Sequence, residues 1–186
     1  SKADLAFIMH SLSWLATSGT AAIVCFPGVM YRGGKEKKIR QYLIDNNFVD
    51  CVIQLPANLF FGTTIATCIM VLKKSKKENS TLFIDASAQF VKVTNANKLT
   101  DENIRNILDA YTARRDVDHV ARLVPNDEIA GQDYNLSVSA YVEQEDTREV
   151  IDIRKLNKEL EQIVAREQEL RRQIDAIIAE IEGENR

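Results

Sequence analysis

Two apolar runs, Val52–Leu55 and Thr67–Leu72, are separated by only the eleven residues 56–66. A parallel crossover takes about a dozen residues or more and normally a helix, whereas antiparallel neighbours need only a loop. Residues 56–66 open on Pro56, carry Phe60-Phe61-Gly62 and show no helical period, so the two runs are expected to pair antiparallel at the edge of a sheet. The residues before them point to parallel strands. Leu5, Ile8, Met9, Leu12 and Leu15 have the spacing of an amphipathic helix over 4–17, with Gly19 suited to a left-handed cap. Thr20–Phe26 is a continuous apolar run, as in a strand buried on both faces. Pro27-Gly28 and Gly33-Gly34 bracket a loop, and Ile39, Tyr42 and Leu43 mark a helix over 35–46. Helix–strand–helix–strand is the alternation of an α/β sheet.

Downstream, Lys73–Ser80 reads as a polar loop and Thr81–Asp85 as a short strand. Thr100-Asp101-Glu102-Asn103 resembles an N-cap for a helix using Ile104, Ile107, Leu108 and Tyr111. Val120–Val124 is strand-like, Pro125-Asn126-Asp127 turns into a short helix ended by Gly131, and a turn-rich 133–137 leads into Val138–Val142. Residues 96–147 are expected to form a small mixed α/β cap on a sheet domain spanning 1–95.

The tail, 148–186, has a different period. Ile153, Leu156, Leu160, Ile163, Glu167, Leu170, Ile174, Ile177 and Ile181 are spaced alternately three and four apart, and eight of these nine are apolar. That is a heptad seam on a helix whose other faces are charged, so it needs a partner helix. The partner is another copy, another subunit, or the chain's own domain folded against it. Glu167, the polar member, is placed to set register.

At 186 residues, 45% apolar and 27% charged, the chain has material for one cored domain and an extended appendage. No apolar run approaches the roughly 20 residues that cross a bilayer. The start at Ser1 shows no basic-then-apolar leader, and a helical pattern that begins at once without Met reads as an excised fragment. Cys25, Cys51 and Cys68 lie far apart in β-type runs, as buried thiols of a cytoplasmic protein, with neither disulfide nor zinc spacing. His10 and His119 stand alone, so no metal site is expected.

Net charge is −3, but residues 1–80 carry 10 Lys/Arg against 5 Asp/Glu while 81–186 carry 14 against 22. Basic residues gather at Arg32, Lys35, Lys37, Lys38 and Arg40, and again at Lys73, Lys74, Lys76 and Lys77. Such clusters suit phosphates, or equally a solvated helix start and a charged loop. G-x-G-x-x-G and G-x-x-x-x-G-K-[ST] turns are both missing, and prolines at 27, 56 and 125 leave no Pro-Pro pair. No nucleophile–base set with a recognisable signature is present. Adjacent phenylalanines at a glycine turn either fold back onto the core or form an aromatic surface for a planar ligand such as a base.

Five blocks in order carry a resemblance: Asp4-Leu5-Ala6-Phe7-Ile8, Gly28-Val29-Met30-Tyr31-Arg32-Gly33-Gly34, Leu55-Pro56-Ala57-Asn58-Leu59-Phe60-Phe61-Gly62-Thr63, Phe83-Ile84-Asp85-Ala86-Ser87 and Asp133-Tyr134-Asn135-Leu136. Together they resemble the modification subunit of type I restriction-modification systems, an N6-adenine DNA methyltransferase. The resemblance implies the C-terminal half of a Rossmann-like sheet with an antiparallel hairpin. It also implies use of S-adenosylmethionine, whose site and catalytic Asn/Asp-Pro-Pro-aromatic motif belong to an upstream half. No catalytic residue is therefore expected in this fragment, which alone would methylate nothing. Phe60, with Phe61 beside it, matches the place of an aromatic that stacks on the flipped target base. Arg32, Lys35 and Lys38 are implied near DNA backbone. The seam Ile153, Leu156, Leu160, Ile163, Leu170, Ile174, Ile177 and Ile181 is implied to dock on the long helices of a specificity subunit. The resemblance further implies that two modification subunits join one specificity subunit, with a restriction subunit able to join them. A second reading is a non-catalytic scaffold with a coiled-coil tail as its binding element.

Overall fold

The computed structural model describes residues 3–144 and 153–184, the side chains of residues 155 and 180–184 excepted. The chain divides into two compact units, Ser1–Glu145 and Asp146–Arg186. In the first, α1 (Asp4–Trp14) leads to β1 (Thr20–Cys25), a 3-10 turn (Pro27–Met30), α2 (Lys35–Asp45), β2 (Val49–Gln54), β3 (Cys68–Lys73) and β4 (Ser80–Asp85). A small hairpin, β5 (Val91–Val93) and β6 (Ala96–Lys98), precedes α3 (Asp101–Ala113), β7 (Ala121–Pro125), α4 (Asn126–Gly131) and a second 3-10 turn (Val138–Ala140).

The main sheet has the order β1-β3-β2-β4-β7. β2 and β3 form the expected antiparallel pair, with Ile53 opposite Ile69. β3 is also antiparallel to β1, and β2 is parallel to β4. The hairpin therefore lies inside the sheet, because β3 inserts between two strands that run the same way. Its alternate residues explain the position: Met70 and Leu72 are fully buried on one face while Val71 is buried on the other. β1 is the rim strand, and Val24 on its outer-facing set is 54% exposed. A run rich in small residues, Ala21-Ala22, has the same apolar pattern as a doubly buried strand but less side chain to bury. On that face Thr20 and Ala22 line an apolar pocket with Ile104, Ile107 and Leu108 of α3.

The core is in two layers. On one face Leu5, Ile8 and Leu12 of α1, Leu43 and Ile44 of α2 and Ile129 of α4 pack against Val52, Met70, Leu72 and Phe83. Tyr141, beyond the second 3-10 turn, stacks on Phe83 at 4.3 Å. On the other face Ile107, Ala110 and Tyr111 of α3 cover Cys51, Ile53, Val71, Leu82 and Ile84. Residues 96–147, expected as a cap, thus supply the sheet's fifth strand, antiparallel to β4, and material for both layers; 145–147 lie outside the described residues. Thr100 caps α3 as expected, through reciprocal bonds with Asn103. α1 instead ends at Leu15 in extended backbone, so Gly19 is not its left-handed cap.

In the second unit α5 (Ile153–Glu184) is one helix of 32 residues, about 48 Å long. Ile153, Leu156, Leu160, Ile163, Leu170, Ile174 and Ile177 are all exposed. The side chain of Ile181 lies outside the described residues. No described helix is long and apolar enough to cross a membrane.

Candidate nucleic-acid interface

β1, β2 and β4 run the same way, so their carboxyl ends share one rim of the sheet. From that rim emerge the Phe26–Gly34 turn, the 55–67 loop and the segment carrying β5 and β6. Open α/β sheets bind ligands beyond the carboxyl ends of their strands.

The 55–67 loop is pinned at its base, where Leu55 N donates to Thr67 O at 2.9 Å. Gln54 Nε2 donates to the carbonyls of Leu55 and Thr67, each at 3.2 Å. Higher up, Asn58 N donates to Thr64 O at 3.3 Å and Thr63 N to Phe60 O at 3.4 Å. Gly62 completes the tip at φ +79°, a conformation costly for other residues. Leu59 packs onto the core. The next two side chains do not: Phe60 is 43% exposed and Phe61 fully so. Neither ring folds back onto the core.

The hairpin β5–β6 escaped sequence reasoning, although Val91-Lys92-Val93 and Ala96-Asn97-Lys98 around Thr94-Asn95 carried a short signal. It fastens to the loop through three bonds. Asn97 N donates to Asn58 O at 2.9 Å. Asn58 Nδ2 donates to Asn95 O, and Asn97 Nδ2 to Ala57 O, both at 2.8 Å.

The basic candidates differ in their surroundings. Lys35 and Lys38 on α2 are exposed. Arg32 is folded back, with its guanidinium 5.2 Å from the Phe26 ring centroid and Nη1 3.7 Å from Glu36 Oε1. A Cβ on Gly28 would lie 2.4 Å from Arg32 Nη2, so that glycine makes room for the arginine. Arg40 is fully buried and donates through Nε to Tyr134 O at 2.8 Å and through Nη1 to Val29 O at 3.0 Å. Leu136 N donates to Met30 O at 2.8 Å, and Lys37 pairs with Asp133. The blocks 28–34 and 133–136 are thereby joined, and Asp133 and Tyr134 are held at positive φ.

The second basic cluster follows β3, which runs the other way, and so lies at the opposite rim. Three of its four lysines are engaged internally, and Lys77 is exposed. Lys73 Nζ is 3.0 Å from Asp50 Oδ2, and Lys74 and Lys76 donate to the carbonyls of Leu15 and Val49. Burial pushes the Lys76 amine down to about 8. The three thiols are buried and free, and burial raises each, Cys25 to about 11 and Cys68 to about 12. His10 lies against Trp14 and His119 Nδ1 is 2.9 Å from Glu143 O. Among the described residues no His/Cys/Asp/Glu group could hold a metal ion.

The family model for N-6 DNA methylases matches residues 1–150. The type I restriction enzyme MpnII methylase subunit of Mycoplasma pneumoniae is 48% identical over 182 residues, which are 97% of this chain and 34% of that protein. The crystal structure of a type I restriction-modification methyltransferase subunit from Streptococcus thermophilus superposes with a TM-score of 0.75 at 44% identity, covering 77% of this chain and 31% of that one. The type I restriction enzyme EcoKI M protein shares the fold, with a TM-score of 0.62 at 15% identity over 93% of this chain and 44% of that one. The chain spans about a third of the length of the first two relatives. It belongs to the N-6 DNA methylase family, and its likeness is to the methylase subunits of type I restriction enzymes.

Proposed function

We propose that this chain is the base-facing and subunit-docking part of an N6-adenine DNA methyltransferase of the type I restriction-modification kind. The exposed Phe60-Phe61 pair, on a braced loop at the carboxyl rim, carries the reading. A ring held out from the core can stack on a target adenine taken from its duplex, worth about 1–3 kcal/mol. Lys35 and Lys38, both exposed, are assigned to DNA backbone, while Arg32 has first to leave Glu36. The methyl donor implied by the family is S-adenosylmethionine, and the residues present do not fit it. The turn after β1 gives the space beside Gly28 to Arg32, and β2 and β4 lead into Pro56 and Ala86-Ser87 rather than a glycine-rich turn. Cofactor binding and methyl transfer are therefore assigned to another part of the full-length protein. The exposed seam of α5 is assigned to a specificity subunit, in a complex with a second modification subunit and, in the full assembly, a restriction subunit.

In the full-length enzyme assembled with its partners, Phe60→Ala is expected to slow adenine methylation by about 5- to 150-fold, the range that stacking supports. S-adenosylmethionine binding should be unchanged. Equal loss of both would mean a folding defect and reject the assignment.

A further inference from the structure

The β5–β6 hairpin does more than brace the loop. We infer that it is a second nucleic-acid contact, in which Lys92 holds a backbone phosphate beside the base taken by Phe60; this rests on the reading of that loop given above. The hairpin and loop form one unit through the backbone and side-chain bonds of Asn58 and Asn97. Lys92 stands directly opposite Asn97, and opposed residues share a face of a β-ladder. Asn97 turns its amide to the loop at Ala57, so Lys92 projects from the loop-facing side. Lys98 is opposite Val91, on the other face.

Charge supports a polyanion as the occupant. The chain holds 27 Asp/Glu against 24 Lys/Arg, yet residues 51–72 and 86–100 contain no carboxylate, and their only charges are Lys92 and Lys98. Lys92 is exposed, with no ion pair or hydrogen bond among the described residues. Lys73, Lys74 and Lys76, by contrast, are engaged internally. A free cation on a hairpin bonded to the loop that carries the exposed rings matches a ligand that alternates planar bases with phosphates.

The test uses the full-length protein assembled with its partners and a duplex carrying its own methylation site, with 2-aminopurine in place of the target adenine. Affinity is measured across a salt series. Lys92→Ala should reduce the slope of log affinity against log salt by about 0.9, the value of one phosphate contact. Lys98→Ala should leave the slope as it is. An unchanged slope in Lys92→Ala overturns the proposal, and an equal reduction in Lys98→Ala overturns the assignment to the loop-facing side. The base-facing reading fails separately, if Phe60→Ala leaves the 2-aminopurine fluorescence response intact.

Discussion

Asp50 shows how much one buried carboxylate organises. It is 2% exposed, at the point where β2 slips register against β3. It accepts hydrogen bonds from Tyr111 Oη at 2.7 Å and Arg114 Nη1 at 3.0 Å, besides its pairing with Lys73. α3 is thereby tied to the sheet at its C-terminal end. Burial alone would push the carboxyl up, but the hydroxyl and the two cations outweigh it and hold the group below its ordinary range. The stability it supplies is thus fully present above its unfolded pKa, about 4, and is lost as pH falls through the lower folded value. Asp50→Ala takes the carboxylate from partly exposed Lys73 and leaves Arg114, among the described residues, only Glu78 at 3.7 Å, and should cost about 2–4 kcal/mol near neutral pH. Urea unfolding at neutral and strongly acid pH checks this. The gap between variant and parent should narrow in acid, and an equal gap at both would contradict it.

At the scale of elements, local chemistry was legible wherever an element is specified by its own residues. The Thr100–Asn103 cap, the α2 period and the β2–β3 hairpin are written in adjacent residues, and all three are present. β5 and β6 were not legible, because three-residue strands give too little period and their order comes from asparagine bonds to a loop more than 30 residues away. α5 is the reverse case. Its 32 residues are helical as the heptads require, and the seam that makes it readable is left uncovered. Under the docking proposal, burying each such side chain contributes about 1.5–3 kcal/mol before ordering costs. Replacing Leu160 and Ile174 together with Asp should abolish co-elution with the specificity subunit while leaving the helical signal of the protein largely intact. Undiminished co-elution would reject docking through this seam.

For the molecule as a whole, periodicity, turn residues and ordered motif blocks were enough for the α/β class, the antiparallel hairpin, the long helix and the family. These depend on which residues are neighbours along the chain, and a residue's helical or extended state is largely a local matter. The strand order, the rim position of β1 and the role of residues 121–125 as a fifth strand were decided by competition among apolar faces for a shared core, to which distant residues contribute equally. The same holds for the site. Phe60-Phe61 drew attention as a pair out of place, but two aromatics beside a glycine read identically whether they turn inward or outward. Leu59 packs onto the core and Asn97 bonds the loop at Ala57, and with those long-range contacts made both rings are left to the solvent.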